Sequence, residues 1–225
     1  MRPLDGTSPL TRLQQARQSG TIVQVDSAAR AMAAQTAHSL LSENEYLFLN
    51  SEPESLMNIL LWDPWPYAIP PSKIVIEICE RTMNDAVRPV VQYLKGIGVQ
   101  IAIDDFGTGM SNLWMLDSFS PDFIKLDQVF LHRRAQGQTL EAVVAMAQRL
   151  GTRLIVEGLE TPEEALFLRK IQAVYAQGYY LGAPAFIDEL APWMEPSVEL
   201  EHDCIQTLSR TPSSHRGLAC GHRYC

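Results

Sequence analysis

The stretch VQIAIDDFGTGMSNLWML, residues 99–116, decides both the fold and the site. Its apolar residues up to Ile103 predict a short buried strand, and two adjacent carboxylates, Asp104 and Asp105, follow where that strand ends. The glycines of FGTG then permit a tight turn. Adjacent carboxylates at the end of a buried strand need a balancing cation, and divalent cations prefer oxygen ligands. The stretch therefore indicates a metal site, and the alternative is that both aspartates are turn formers and helix caps.

The composition is typical of one globular α/β domain. The chain has 225 residues, of which 46% are hydrophobic and 20% are charged, and this is enough for a sizeable core. The formal net charge of −8 argues against nucleic acid or a lipid surface as the main partner. The negative net charge does not exclude a small anionic ligand that is held by metal ions. No apolar run reaches the roughly 18 residues that span a bilayer, and no apolar signal core opens the chain, so we expect a cytoplasmic location.

The cysteines and the C-terminal tail do not indicate a disulfide-rich fold or a zinc site. Cys79 falls in a predicted core strand, whereas Cys204, Cys220 and Cys225 lie in the tail, and this distribution is a poor disulfide framework. From Pro196 onward the alternation of elements decays, and the cysteines and histidines there match no compact zinc site. We therefore expect residues 196–225 to be a disordered tail.

Short apolar strands alternate with helices along most of the chain. Predicted strands cover residues 46–49, 73–78, 99–103, 122–126, 153–156 and 173–175. Two helices are predicted before the first strand, over residues 9–19 and 27–41, with Ser8 and Asp26 as their N-caps. Such alternation predicts parallel β/α units.

Polar residues recur at or near the carboxyl ends of the predicted strands. They are Asn50, Glu77, Asp104 with Asp105, Lys125, Glu157 and Gln177. In a (β/α) barrel all these ends meet on one face, where the active site lies. Solvated strand ends are the alternative explanation, but a series that recurs at successive strand ends favours a functional site.

Six segments of the chain resemble motifs of the EAL family, bacterial phosphodiesterases that linearise cyclic di-GMP. IDDFGTGMSNL resembles the family's DDFGTGYSSL loop, and AQGYYLGAP resembles its QGY-x-x-x-P signature. IVIEICERT, FIKLDQVFL, LIVEGLETPEEALFLRKI and, more weakly, FLNSEPESL resemble further segments of the family in the right order. The resemblance covers roughly residues 35–184.

The resemblance implies a (β/α)8 TIM-barrel-like fold that is incomplete here. Six of the eight strands are visible, and the family's first two strands are not evident in residues 1–30. The Glu-Ala-Leu segment that names the family is also missing before Asn50, and the copy at residues 164–166 lies in a predicted helix, which makes it a coincidence. We therefore expect a truncated N-terminal part over residues 1–34 and an EAL-like barrel over residues 35–195.

The resemblance also assigns roles to the polar residues. Asn50, Glu77 and Asp104 would be metal ligands, and Asp105 would bridge or complete a site for two Mg²⁺ or Mn²⁺ ions whose first ligand is missing. Lys125 would lie near the attacking water and the phosphate, Glu157 would ligate metal or position the water, and Gln177 would support that water. Glu80 and Glu160 would brace the DDFGTG loop.

Three accounts of function remain open. The chain could be a degenerate domain that binds cyclic di-GMP or a protein without hydrolysis. It could be a phosphodiesterase whose missing strands come from a partner chain or from upstream sequence, or a broken and unstable domain. Since an open sheet edge invites pairing, we expect self-association or a protein partner at that edge. Because the named glutamate is missing, we expect hydrolysis of cyclic di-GMP to linear pGpG to be weak or lost.

Overall fold

A parallel β-sheet organises the chain in the computed structural model, which describes residues 8–61, 65–108, 113–132 and 137–184 and the backbone of residues 218–220. The seven strands are β1 (Leu47–Asn50), β2 (Ile74–Cys79), β3 (Gln100–Phe106), β4 (Phe123–Leu126), β5 (Arg153–Glu157), β6 (Tyr175–Gln177) and β7 (Leu218–Cys220). Their order is β6-β5-β4-β3-β2-β1-β7, and every pairing is parallel.

Two helices precede the first strand, and the others follow successive strands. They are α1 (Pro9–Gln18), α2 (Ile22–Ala37), α3 (Pro53–Leu56), α4 (Arg88–Gly96), α5 (Trp114–Phe119), α6 (Val129–His132), α7 (Gly137–Leu150) and α8 (Pro162–Lys170). Short 3-10 turns add Met57–Leu61, Pro71–Lys73, Glu80–Thr82 and Asp85–Val87. The strands β1 to β6 form half of a barrel, which confirms the predicted incomplete barrel of parallel β/α units. No helix within the described ranges is long and apolar enough to cross a membrane.

The two faces of the sheet bury different side chains. The face that packs against the helices carries Ile76, Ile101, Ile103 and Ile124, all fully buried in the main hydrophobic core. Full burial of each such side chain contributes about 1.5–3 kcal/mol. The opposite, inner face carries a smaller apolar cluster of Phe48, Val75, Ala102 and Phe123. Because side chains alternate along a strand, this inner face is also the one that presents the polar residues at the strand ends.

The N-terminal helices differ in part from the prediction. Ser8 caps α1, and its Oγ accepts a hydrogen bond from the Thr11 N–H. The predicted cap at Asp26 is wrong, because α2 already begins at Ile22 and Asp26 lies inside it. Asp26 is buried and forms an ion pair with Arg30, one turn further along the helix. Sequence alone did not distinguish an aspartate that caps a helix from one that is paired within it.

The outer edge of β1 is occupied. β7, from the C-terminal tail, pairs with β1 along the edge that the incomplete barrel was expected to leave open. The three residues of β7 thus differ from the disordered tail that the sequence suggested, while the rest of residues 196–225 lies outside the described part of the chain.

Candidate functional site

Lys125 lies at the centre of a buried cluster of carboxylates. Its Nζ atom is 2.7 Å from Asp104 Oδ1, 2.9 Å from Glu77 Oε1 and 3.1 Å from Glu157 Oε1. The four residues come from four adjacent strands, and none is more than 4% exposed. The structure thus brings together four of the side chains that the strand-end pattern singled out.

A local irregularity in β3 buries two consecutive aspartates. The register between β3 and β4 shifts between Ile103 and Phe106, and Asp105 has a φ of 54°. Residues other than glycine rarely adopt this left-handed region, and such strain costs on the order of 1–3 kcal/mol. Both Asp104 and Asp105 are therefore buried at the same strand end, where regular alternation would direct them to opposite faces.

The oxygen atoms of the cluster converge as a metal site requires. Asp104, Asp105 and Glu157 each offer a carboxylate oxygen, and these oxygens lie within 4.8 Å of one another. Asp105 Oδ1 is buried and accepts no hydrogen bond from the described residues. A buried carboxylate oxygen without a partner is costly, and a divalent cation with oxygen ligands would remove that cost. The residues present therefore fit a divalent metal ion.

Burial and mutual repulsion raise the pKa values of two acids of the cluster. Burial, followed by the charges of Asp104, Glu157 and Asp127, raises the pKa of Asp105 to about 6. Burial also raises the pKa of Glu77 to about 7, although the nearby Lys125 ammonium opposes the shift. Both groups bind protons more tightly in the folded chain than in water, so protons and metal ions compete for this site near neutral pH.

The pKa of Lys125 is raised as well, but for a lysine this shift favours the charged form. Burial alone would lower its pKa, but the carboxylates of Glu77, Asp104 and Glu157 outweigh burial and raise the pKa well above its ordinary value. The ammonium group therefore stays charged across the physiological range. Lys125 can neutralise anions and donate hydrogen bonds, but it cannot take up a proton as a general base.

Asn50 and Gln177 flank the cluster. Asn50 pairs in register with Glu77, and Gln177 pairs in register with Glu157. Both residues are partly exposed at the ends of β1 and β6. The backbone thus places them on either side of the carboxylates.

Glu80 contacts the start of the DDFGTG loop. Its Oε2 atom accepts a hydrogen bond of 2.8 Å from the Gly107 N–H, and its side chain is buried. Gly107 has a φ of 95°, and a Cβ atom there would lie 2.2 Å from the ring of Phe130. Only glycine fits this position. Residues 109–112 of the loop lie outside the described residues.

Glu160 has a different environment from Glu80. Its side chain is exposed, and its backbone N–H donates to Glu164 Oε2 at 2.9 Å. Glu164 in turn forms a capping box with Thr161 at the start of α8. The Glu-Ala-Leu copy at residues 164–166 therefore belongs to a helix cap, as expected of a coincidental match.

Two residues of this region have environments that the sequence does not indicate. Asp127 is buried, accepts a hydrogen bond of 2.7 Å from the Val129 N–H, and contributes to the raised pKa of Asp105. Its position two residues after Lys125 is a signal that could have identified it. Cys79 ends β2 and is disulfide-bonded. The positions of the four cysteines, a poor disulfide framework, do not predict this bond.

The chain matches a known domain family and curated relatives. The family model described as EAL domain matches residues 3–184, so the match includes α1 and α2, ahead of the resemblance seen from about residue 35. The probable cyclic di-GMP phosphodiesterase PdeN of Escherichia coli is 36% identical over 129 residues, which cover 55% of this chain and 25% of PdeN. The cyclic di-GMP phosphodiesterase PdeR of the same organism is 39% identical over 112 residues, 48% of this chain and 17% of PdeR. The matches thus span about a quarter or less of these relatives.

Solved structures resemble the chain over most of its length. BlrP1 of Klebsiella pneumoniae, in a complex with calcium and cyclic di-GMP, has a TM-score of 0.70 and 29% identity over 79% of this chain and 48% of that one. The phosphodiesterase PaMucR, in a complex with cyclic di-GMP, has a TM-score of 0.71 and 28% identity over 84% of this chain and 83% of that one.

Proposed function

Because the chain belongs to the EAL domain family, we propose that its carboxylate cluster binds divalent metal ions and, through them, cyclic di-GMP. The convergence of carboxylate oxygens from Asp104, Asp105 and Glu157 within 4.8 Å carries this proposal. Support comes from BlrP1, whose solved complexes contain cyclic di-GMP with calcium or with manganese. The dinucleotide is an anion, which agrees with the need for metal ions in a chain of net charge −8.

The metal ions would be held by residues from several strands. Asp104, Asp105 and Glu157 are the central ligands, and Glu77 and Asn50 extend the set toward β1. When bound, Mg²⁺ or Mn²⁺ would polarise a phosphodiester and lower the pKa of a bound water. Gln177, in register with Glu157, would orient a water or the ligand.

Lys125 stabilises the site in two ways. Its ammonium neutralises part of the charge of three buried carboxylates, so the strand ends can pack together before a metal ion binds. The same permanent charge would stabilise a phosphate oxygen brought to the cluster. Lys125 thereby serves both the folding of the site and the binding of an anion.

We propose that hydrolysis of cyclic di-GMP to linear pGpG is weak or lost in this chain. On the edge of β1, opposite Leu47, Phe48 and Leu49, the structure has β7. β7 consists of Leu218, Ala219 and Cys220, and none of these residues supplies a carboxylate. Among the described residues, β7 therefore adds no acid to the proposed metal site on this side. A non-catalytic binding module is the second candidate function, and the internal neutralisation by Lys125 favours it because the site can stay folded without metal.

Calorimetric binding of cyclic di-GMP, with and without Mn²⁺, tests the binding proposal, and chromatography of the nucleotide tests for linear product. We expect Mn²⁺-dependent binding with little or no product. Asp104→Asn removes a central ligand and should weaken binding by more than the 10–100-fold typical of an outer-shell partner. Asp117→Asn, at an exposed position in α5, is the matched control and should bind normally. Equal binding with and without metal, or by Asp104→Asn and the wild type, would contradict the proposal.

A further inference from the structure

A buried ion pair in α2 lies against the end of β1. Arg30 is 3% exposed and Asp26 is 6% exposed, and the two side chains pair one helical turn apart. Neither residue belongs to the proposed metal cluster. A buried ion pair often gains no stability over apolar residues of similar size, so stability alone is a weak explanation for it. The contacts that Arg30 makes outside its own helix indicate another role.

Arg30 reaches the two residues at which β1 ends. Its Nη1 atom donates a buried hydrogen bond of 3.3 Å to Ser51 Oγ and a longer one of 3.5 Å to the backbone oxygen of Asn50. Within α2, Nη1 also donates to Asp26 Oδ2, and Nη2 donates to Ser27 Oγ at 3.4 Å. Because the guanidinium group is planar and rigid, its bonds within α2 fix the direction in which it meets β1.

The same end of β1 is joined to the neighbouring strand. The Ser51 N–H donates to the backbone oxygen of Glu77 at 3.1 Å, and Asn50 is in register with Glu77. β7 pairs with residues 47–49, so its pairing with β1 stops before Asn50. Arg30 thus contacts the backbone of one candidate metal ligand and, through Ser51, is linked to the backbone of a second.

We propose that Arg30, held by Asp26, is a positioning residue for the metal ligand Asn50. Arg30 fixes the backbone from which the Asn50 side chain projects. A ligand that is already held in place loses less conformational entropy when the metal ion binds. The inference rests on the proposed function, because it takes Asn50 as a metal ligand. It makes α2, which precedes the first strand, a supporting part of the site.

A second arginine contacts the same connection between β1 and α3 and provides the matched control. Arg17 of α1 pairs with Glu52 and, at 2.7 Å, with Glu54. Both contacts are with residues that follow Ser51. The Arg17 side chain is 39% exposed, and exposed ion pairs of this kind contribute little. Replacement of Arg17 therefore removes an arginine from the same region without loosening the end of β1.

Affinity for Mn²⁺ measures the positioning effect. Arg30→Met alone would leave Asp26 as a buried charge without its cation, so the paired variant Asp26→Asn/Arg30→Met is used. We expect it to bind Mn²⁺ about tenfold more weakly than the wild type, at the low end of the roughly 10–100-fold loss for groups that orient a metal ligand. Arg17→Met should stay within about twofold. Wild-type affinity of the paired variant would overturn the proposal.

A milder variant covers the case in which the paired variant does not fold. Ser51→Ala removes the hydroxyl that accepts the Arg30 hydrogen bond and leaves the ion pair with Asp26 in place. We expect Mn²⁺ binding about threefold weaker, as loss of one hydrogen bond predicts. Wild-type affinity of Ser51→Ala would then overturn the proposal.

A double-mutant cycle separates positioning from a general loss of structure. If Arg30 acts through Asn50, the paired replacement has no ligand to misplace in an Asn50→Ala background and should change Mn²⁺ affinity by less than about twofold. A loss of about tenfold that persists in the Asn50→Ala background would show that Arg30 acts through the fold as a whole, and would overturn the proposal.

Hydrogen exchange in EDTA tests the anchoring of β1 without any metal ion. The Ser51 amide, which donates to Glu77, should exchange at least about tenfold faster in the paired variant than in the wild type. The amides of Arg153–Glu157, on the far side of the sheet, should change little. Unchanged exchange at Ser51 would overturn the proposal. If the wild-type chain binds no Mn²⁺, the proposed function fails, and the exchange data alone decide whether Arg30 fixes this strand end.

Discussion

Lys125 Nζ lies 2.7 Å from Asp104 Oδ1, and this pair joins β4 to β3 at the buried carboxyl ends of the sheet. The same ammonium group also contacts Glu77 and Glu157. A single cation thus compensates carboxylates from three other strands in a place from which water is largely excluded. Removal of one partner from such a buried network leaves uncompensated charge, which is far more costly than loss of an exposed ion pair.

Replacement of Lys125 by methionine should therefore destabilise the metal-free chain strongly. We expect Lys125→Met to lower the free energy of unfolding by about 3–5 kcal/mol, because three buried carboxylates lose their cation. Urea denaturation in EDTA measures this change. Lys95→Met is the matched control, since Lys95 is one third exposed and lies 3.5 Å from Asp122, and it should cost less than about 1 kcal/mol. Equal effects of the two variants would contradict this assignment.

The pH dependence of stability should reveal the acids of the site. The pKa of Asp105 rises from 3.8 to about 6 on folding, so between those pH values the folded chain binds more protons than the unfolded chain. Stability must then fall as pH rises from about 4 to 6, and the raised pKa of Glu77 extends the fall toward pH 7. At about 1.4 kcal/mol per pKa unit, we expect Asp105 to account for up to about 3 kcal/mol of that loss. Denaturant titrations of the metal-free chain at several pH values measure it.

A variant and a metal ion provide the controls for this pH effect. Asp105→Asn removes the titrating group and should flatten the decrease between pH 4 and 6. Saturating Mn²⁺ should raise the stability of the folded chain at pH 7 and so offset the decrease, because a metal ion stabilises the deprotonated carboxylates. A slope that is identical in the wild type and in Asp105→Asn would show that other groups cause the pH dependence.

Gly107 should not tolerate a side chain. Gly107→Ala combines a positive φ of 95° with a Cβ atom 2.2 Å from the Phe130 ring, so we expect a loss of more than about 2 kcal/mol of stability. Gly20→Ala is the matched control, because Gly20 has a φ of 72° and nothing within 4 Å of the added Cβ. Gly20→Ala should cost about 1 kcal/mol from the backbone alone. Thermal unfolding compares the two variants, and equal losses would exclude a contribution from the Phe130 contact.

Glu80 and Glu160 should differ in their importance for the DDFGTG loop. Glu80→Gln weakens the charge-assisted hydrogen bond to the Gly107 N–H, so we expect cyclic di-GMP binding to weaken by about three- to tenfold. Glu160→Gln changes an exposed side chain and should leave binding within twofold. Calorimetry of both variants, after a check of their unfolding temperatures, measures the difference. A larger effect of Glu160→Gln would restore the bracing role that the resemblance suggested for Glu160.

Sequence patterns mislead where one residue type serves two purposes. Aspartate favours helix N-caps, but Asp26 lies within α2 because Arg30 neutralises it there. Asp127 does not stand out as a site residue in the sequence, because it follows the end of β4, where an acid usually indicates an ordinary turn. The disulfide of Cys79 depends on a residue far away in the chain, and spacing alone does not reveal such a pairing.

Local sequence patterns predict the six β/α strands and the side chains at their carboxyl ends, because two-residue alternation and glycine-rich turns are properties of neighbouring residues. The folded chain adds that Lys125 is the common partner of Glu77, Asp104 and Glu157, and that β7 occupies the edge of β1. Both relationships join residues distant in sequence. They follow from the register and curvature of the assembled sheet, which no local pattern records.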